Sequence, residues 1–159
     1  MQRFFRAAAG AAAFLVATGC SIHSTEPPVE AKIETTTFAT ALGVDLAAMT
    51  KTTSGVYYRD IVVGTGAEIA TGQLVKTRYT GWLSGGQQFD SNLQATDPYP
   101  FNFRRGQVIA GWDEGMVGMH VGGKRQLVIP PSLGYGPYAY LAIPGNCVLV
   151  FQVEVISAE

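Results

Sequence analysis

The sequence is poor in the residue types on which several kinds of function depend. Its 159 residues include two cysteines and two histidines, and charged residues make up only 14% of the chain. Two cysteines cannot build the disulfide framework of a small secreted scaffold. The scattered His23, His120 and Cys147 do not form the clustered four-ligand site that structural zinc needs. With eleven basic against twelve acidic residues, the chain also lacks the basic excess of a nucleic-acid-binding protein.

Two familiar catalytic motifs are incomplete. Residues 118–124 read G-x-x-x-x-G-K, but Arg125 follows where a phosphate-binding loop needs Ser or Thr, and a strand rather than a helix comes next. A Ser-His-Asp triad is hard to build, because His120 is the only histidine after position 23. Cys147 is better explained as a small apolar residue at the start of the last strand than as a nucleophile.

The first twenty residues have the features of a secretory signal. Two arginines precede an apolar run over 7–17, which is shorter than the roughly 20 residues of a membrane-spanning helix. The run fits the apolar region of a signal peptide over 1–19. Small residues before Cys20 are similar to a bacterial lipobox, in which the cysteine is lipidated, although Ala17 stands where Leu is preferred. An ordinary cleaved signal peptide with an incidental cysteine is the alternative.

A lipidated Cys20 predicts a location in the bacterial cell envelope. The chain would then contact the membrane through its lipid anchor only, and more than one acyl chain is needed for stable anchoring. The similarity to Gram-negative lipoproteins implies sorting to the outer membrane, facing the periplasm, because Ser21 is not the aspartate that retains such proteins at the inner membrane. Removal of 1–19 leaves nine basic and twelve acidic residues, a net charge of −3.

Two segments connect this leader to the body of the chain. Residues 20–37 are polar, contain prolines and show no periodicity, which predicts a flexible tether. A short docking segment is predicted over 38–54, where four apolar residues recur near helical spacing: Phe38, Leu42, Leu46 and Met49.

The glycine-rich remainder, residues 55–159, has the pattern of short strands separated by turns. Apolar and polar residues alternate over 73–83, and Ser84-Gly85-Gly86 then supplies hairpin chemistry. Other short strands are indicated at 55–63, 87–90, 101–103, 126–129 and 149–155. The one predicted helix covers Val108 to Met119, and its three glycines make it weak. The pattern predicts a curved antiparallel sheet with one helix laid across it.

The order and spacing of the motifs in this body are its most specific signal. They read Tyr79-Thr80-Gly81, Gly86-Gln87-Gln88-Phe89-Asp90-Ser91, Pro100-Phe101-Asn102-Phe103, Gly106 to Met116, Val121 to Arg125, Ile129-Pro130-Pro131, Gly134-Tyr135-Gly136, Ile143-Pro144 and Leu149 to Val155. In this order they resemble the FKBP-type peptidyl-prolyl cis-trans isomerases, here in a bacterial lipoprotein form. The resemblance covers residues 55–159. It implies an α+β fold, a curved antiparallel half-barrel of five to six strands wrapped around one short helix, with a pocket between helix and sheet.

The resemblance also implies a set of site residues. It gives catalytic roles to Asp90, to the backbone N–H of Ile109, to Trp112 as the floor and to the hydroxyl of Tyr135. Six further residues are implied to bind the substrate: Tyr79, Phe89, Phe101, Val108, Ile143 and Phe151. No cofactor and no metal are implied. The implied partners are proline-containing polypeptide clients and macrolides such as rapamycin.

Isomerisation of an X–Pro bond requires neither proton transfer nor a covalent step. The barrier is ~18–20 kcal/mol because amide resonance is lost in the twisted state. Water bonded to the carbonyl favours the planar amide, so a dry aromatic pocket suits the twisted form better. We therefore expect catalysis by desolvation and by binding of the twisted amide. Asp90 is expected to tune the electrostatic field of the pocket rather than to act as a base.

Two departures from the family pattern affect this interpretation. Residues 91–100 contain no arginine where many relatives have one, so Asp90 is expected to lack an ion partner. The loop 136–146 is shorter than usual and carries Tyr138 and Tyr140, which leaves substrate preference and macrolide affinity open. Two alternatives to an isomerase for exported proteins remain. One is a non-catalytic proline-peptide-binding or chaperone module on the same fold, and the other is a structural lipoprotein whose pocket is filled by its own side chains.

Overall fold

The computed structural model describes residues 31–159. The predicted signal peptide over 1–19 and the lipidation of Cys20 lie outside the described residues. The strands are β1 (Thr50–Lys51), β2 (Tyr57–Val62), β3 (Leu74–Leu83), β4 (Gln88–Ser91), β5 (Tyr99–Asn102), β6 (Lys124–Ile129) and β7 (Leu149–Ala158). One α-helix, α1, covers Ala110–Gly115, and short 3₁₀ turns cover Ile33–Thr35, Thr40–Leu42, Leu46–Ala48 and Pro131–Leu133.

All seven strands form one antiparallel sheet. Its order is β1-β2-β6-β7-β3-β4, and β5 pairs with the other half of β3. The predicted α+β architecture, a curved antiparallel sheet with one short helix, is confirmed. The sheet has seven strands rather than five or six. The additional strand β1 has two residues, too few to leave an alternating pattern in the sequence.

The helix is shorter than the predicted Val108 to Met119, because α1 is six residues long. Its glycines have a packing reason. A Cβ on Gly111 would overlap the side chain of Ile129, and one on Gly115 would lie 2.8 Å from Leu127. The residues that weaken the helix therefore allow it to lie directly against β6, on the concave face of the sheet.

The concave face and α1 enclose the main core. Its members come from α1, from the residue that follows it and from the strands, and they include Val75, Phe101, Trp112, Met116, Leu127 and Phe151. Each such side chain stabilises the fold by about 1.5–3 kcal/mol relative to exposure. Cys147 is buried, as a core residue should be.

The segment before β1 packs on the convex face of the sheet. Ile33 is only 3% exposed and joins Leu42, Val128, Val148 and Val150 in a second apolar cluster. Residues 31–37, the described part of the predicted tether over 20–37, thus contact the sheet through the side chain of Ile33.

Residues 38–54 form 3₁₀ turns and the short β1 rather than a helix. Gly43 ends one turn in the left-handed conformation, at φ 59°. The amide of Gln126 donates a buried hydrogen bond of 2.7 Å to the carbonyl of Leu42. No helix within residues 31–159 is long and apolar enough to cross a membrane.

Candidate functional site

A cavity of about 500 Å³ opens between α1 and the concave face of the sheet. Eight of the ten lining residues carry rings or aliphatic side chains, and two, a carboxylate and an amide, are polar. The lining residues are Tyr79, Asp90, Tyr99, Gln107, Val108, Ile109, Trp112, Tyr135, Tyr140 and Phe151. A concave, mostly aromatic site with a few convergent polar groups is typical of a ligand-binding pocket.

Trp112 forms the floor of the cavity. It lies in the first turn of α1 and is 4% exposed. The ring centroids of Tyr79 and Phe151 lie 5.1 and 5.5 Å from it, and both rings meet it edge to face. Such contacts contribute about 0.5–1.5 kcal/mol each beyond burial, so the floor is held in one orientation. Among the described residues, the buried indole N–H has no hydrogen-bond partner.

Ile109 brings a backbone donor to the cavity. It is the residue before α1, with φ −58° and ψ 144°, and its carbonyl accepts the N–H of Trp112 at 2.9 Å. Its own N–H makes no hydrogen bond within residues 31–159. The extended conformation thus starts the helix and leaves a donor for a ligand carbonyl.

Tyr79 and Asp90 form the polar wall. The strand pairing places Asp90 opposite Gly81, and the Tyr79 hydroxyl donates to the Asp90 carboxylate at 2.7 Å. The other carboxylate oxygen accepts the N–H of Ser91 at 2.8 Å. Burial raises the pKa of Tyr79 above its ordinary value, and the hydrogen bond to Asp90 raises it further. Asp90 takes part in none of the ion pairs of residues 31–159.

Tyr135 stands on the opposite rim. Its ring stacks on Tyr140 with centroids 4.9 Å apart, and its hydroxyl makes no hydrogen bond within the described part of the chain. Burial raises the pKa of Tyr135, and the negative charge of Asp90 adds to the shift. Tyr140 is held by reciprocal 2.9 Å backbone hydrogen bonds with Ile143, across a turn in which Leu141 has φ 51°.

The structure brings together most of the predicted site residues. All four residues predicted to be catalytic line the cavity: Asp90, Ile109, Trp112 and Tyr135. Of the six residues predicted to bind the substrate, three line the cavity, namely Tyr79, Val108 and Phe151. The roles of these residues in catalysis and binding stay predictions.

Phe89, Phe101 and Ile143 are not among the residues that line the cavity, and their predicted roles in binding stay predictions. Phe101 is 2% exposed behind Trp112, with ring centroids 5.8 Å apart. Phe89 meets Phe151 edge to face at 5.5 Å, and Ile143 is buried under the loop. Their side chains support the residues that face the cavity.

Sequence reasoning missed two lining residues and left a third open. Tyr99 precedes Phe101 by two positions, so the alternation of β5 places both on one face, and this signal could have found it. The side-chain oxygen of Gln107 accepts a hydrogen bond from the N–H of Asn102 at 2.7 Å. No sequence pattern indicates this local contact, so the position of Gln107 in the wall could not be predicted. Of the two loop tyrosines, Tyr140 lines the cavity and Tyr138 is 81% exposed.

Comparisons with known proteins agree on one family. Residues 66–156 match the sequence model described as FKBP-type peptidyl-prolyl cis-trans isomerase. The FK506-binding protein of Neisseria meningitidis serogroup B is 44% identical over 104 residues, which are 65% of this chain and 95% of that protein. Peptidyl-prolyl cis-trans isomerase FKBP2 of Mus musculus is 39% identical over 128 residues, or 76% and 91% of the two chains. The crystal structure of AtFKBP13 superposes with a TM-score of 0.66 at 38% identity, covering 70% of this chain and 98% of that one.

Proposed function

Because this chain belongs to the FKBP-type peptidyl-prolyl cis-trans isomerase family, we propose that its cavity isomerises X–Pro bonds in exported polypeptides. One observation carries the proposal. A buried tryptophan floor lies beside two hydrogen-bond donors, the Ile109 N–H and the Tyr135 hydroxyl, that have no partner within residues 31–159. A proline-bearing segment needs this combination of an apolar cup and a few donors.

The prolyl ring packs on Trp112, between Tyr79 and Phe151. The ring is apolar, and burial of apolar surface favours binding by roughly 25 cal/mol per Å². The N–H of Ile109 and the hydroxyl of Tyr135 take part in no proton transfer with the substrate. They donate hydrogen bonds to its carbonyl groups and thereby orient the chain around the bond that rotates.

The barrier falls because the pocket binds the twisted amide better than the planar one. The aromatic walls exclude the water that stabilises the planar amide. Asp90 is engaged by Tyr79 and by Ser91, so the carboxylate contributes a fixed negative charge rather than a proton acceptor. A barrier lowered by ~8 kcal/mol accelerates the exchange by ~10⁶.

The proposal is tested by the cis-trans exchange of a proline tetrapeptide with catalytic amounts of the chain. We expect acceleration by the natural protein and its loss in Tyr135→Phe and in Asp90→Val. Tyr138→Phe is the matched control, because this hydroxyl is exposed outside the cavity, and it should keep full activity. Rapamycin at a stoichiometric amount should inhibit if macrolides enter the same pocket.

Folded protein that leaves the exchange rate unchanged would contradict isomerisation. Binding of the peptide without acceleration would instead favour a non-catalytic proline-peptide-binding or chaperone module. Neither binding nor acceleration would favour a structural role in which the pocket takes no client.

We also propose that the chain is exported and anchored through a lipid on Cys20, at the outer membrane and facing the periplasm. The arginines, the short apolar run and the small residues before Cys20 support this location. Cys20 and Cys147 are the two cysteines of the sequence. Because one sulfur cannot form both a thioether and a disulfide, the two linkages exclude each other at Cys20.

Mass spectrometry of the mature protein distinguishes these states. A diacylglyceryl group on Cys20, lost in Cys20→Ser together with membrane fractionation, is the expected result. A Cys20–Cys147 linked peptide in a non-reducing digest, or cleavage of the leader with release of soluble protein, would contradict the anchor and leave the proposed isomerase activity untouched.

A further inference from the structure

The middle of β3 lies at a gap between two edge strands. The strand β4 pairs with Thr80–Trp82, and β5 pairs with Leu74–Thr77. Arg78 and Tyr79 therefore have a strand partner, β7, on one side only. The loop 92–98, which connects β4 to β5, passes along the other side.

The side chain of Asn92 takes the place of a strand in this gap. Its amide donates to the carbonyl of Thr77 at 2.9 Å, and its side-chain oxygen accepts the N–H of Tyr79 at 2.7 Å. The N–H of Asn92 in turn donates to the carbonyl of Tyr79 at 3.1 Å. The start of the loop is thus fixed against the cavity wall.

The rest of the loop is fixed by Arg78. One terminal nitrogen of its guanidinium donates to the carbonyls of Asn92 and Ala95 at 2.9 and 2.7 Å and lies 3.4 Å from that of Asp97. The other donates to the carbonyl of Thr96 at 3.1 Å. A planar group with several fixed donors can hold a set of carbonyls that a lysine ammonium cannot match.

The loop that Arg78 holds carries cavity residues at both ends. Asp90 lies two residues before Asn92, and Tyr99 lies two residues after Asp97, and both line the cavity. Arg78 alternates with Tyr79 along the strand, so its side chain leaves the sheet on the face opposite to the cavity. It does not contact a ligand in the cavity.

We infer that Arg78 is a positioning residue for the isomerisation, because it fixes the loop 92–97 and thereby the wall made by Asp90 and Tyr99. This inference rests on the proposed function. Since residues 91–100 contain no arginine, the cation that organises this wall comes from the neighbouring strand.

The test compares Arg78→Met and Arg78→Lys with Lys76→Met in the full chain. Lys76 is the matched control, because it lies on the same face two residues away. Within residues 31–159, its ammonium bonds only the carboxylate of Glu159, at 3.0 Å. We expect Arg78→Met to lower kcat/KM for a proline tetrapeptide about tenfold, chiefly through a higher KM. Arg78→Lys should recover little of this loss, and Lys76→Met should stay within twofold of the natural protein.

Two further measurements keep a folding defect apart from a positioning defect. Amide hydrogen exchange should accelerate at 92–97 in Arg78→Met and stay unchanged in β7. Calorimetric titration with the same peptide should show a weaker affinity. A kcat/KM within twofold of the natural protein, or a loss that only tracks the unfolded fraction, would overturn the inference. If the natural protein binds the peptide without accelerating its exchange, the proposed function fails. The positioning role of Arg78 is then tested by peptide affinity and by amide hydrogen exchange at 92–97.

Discussion

Tyr135 and Tyr140 stack face to face, with ring centroids 4.9 Å apart and 8° between their planes. Tyr135 is a proposed donor to the substrate, whereas Tyr140 is a half-exposed residue of the overhanging loop. The stack therefore makes the orientation of the Tyr135 hydroxyl depend on the loop 136–146. This loop is one of the two places where the sequence departs from the family pattern.

Replacement of Tyr140 by alanine should weaken catalysis without abolishing it. The loss of one aromatic contact removes about 0.5–1.5 kcal/mol of restraint on the Tyr135 ring, which corresponds to a roughly two- to tenfold lower kcat/KM. The peptide exchange assay measures this. Tyr138→Ala removes an exposed ring of the same loop and should leave the rate unchanged; equal losses in both variants would refute a specific role of the stack.

The activity should not depend on tyrosine ionisation between pH 7 and 9.5. Burial and the charge of Asp90 raise the pKa of Tyr79 and of Tyr135. A raised pKa keeps the proton on each hydroxyl, so both groups remain donors until the pH exceeds their ordinary value of 10. Exchange rates measured over this range should therefore show no fall from the loss of these protons. A fall that is centred below pH 9.5 in the natural protein and is kept in Tyr138→Phe would contradict this assignment.

The ion pair of Arg125 and Asp60 should make a measurable contribution to stability. Arg125 is 4% exposed, bonds the Asp60 carboxylate at 2.7 and 3.1 Å, and donates to the carbonyls of Gly115 and Val117 at the end of α1. Asp60→Asn should lower the free energy of unfolding by about 1–3 kcal/mol. This is less than the ~3–5 kcal/mol of a fully buried pair, because the Asp60 side chain is 34% exposed.

Urea unfolding followed by circular dichroism provides the measurement for this pair. The surface pair of Lys76 and Glu159, with side chains 37% and 63% exposed, is the matched control. Lys76→Met should cost less than about 1 kcal/mol. Equal costs at the two sites would show that burial of Arg125 adds nothing to its pairing.

Leu141→Gly should stabilise the protein. Leu141 has φ 51° in the turn after Tyr140, and its side chain is 91% exposed. The left-handed conformation costs a residue with a Cβ roughly 1–2 kcal/mol, and glycine removes this cost. Part of the gain is lost again, because glycine makes the unfolded chain more flexible. We expect a net gain of about 0.5–1 kcal/mol in chemical denaturation. The neighbouring Ala142→Gly, at a position without positive φ, should destabilise; a loss at both positions would refute strain at Leu141.

Sequence patterns predicted the elements whose signals are local. The alternation over 73–83 and the glycines after Ser84 correspond to β3 and to its hairpin with β4. The packing of Ile33 was not predictable, because it is one apolar residue in a polar segment and its partners Val128 and Val150 belong to strands far along the chain.

Most of the cavity could be predicted from motif order. Trp112 and Ile109 are placed by the start of α1, which the sequence indicates within two residues. The contribution of Arg78 could not be predicted, since its partners are backbone carbonyls of a loop. Carbonyls leave no residue-type signal in a sequence, so contacts of this kind become visible only in three dimensions.

The position of β7 couples the formation of the core to that of the pocket. This strand, Leu149–Ala158, lies in the middle of the sheet between β6 and β3, and it carries Phe151 to the floor of the cavity. Until residues 149–158 have emerged, β3 and β6 have no strand between them, and the aromatic cup lacks one wall. The core and the pocket therefore form together, when β7 docks between its two neighbours.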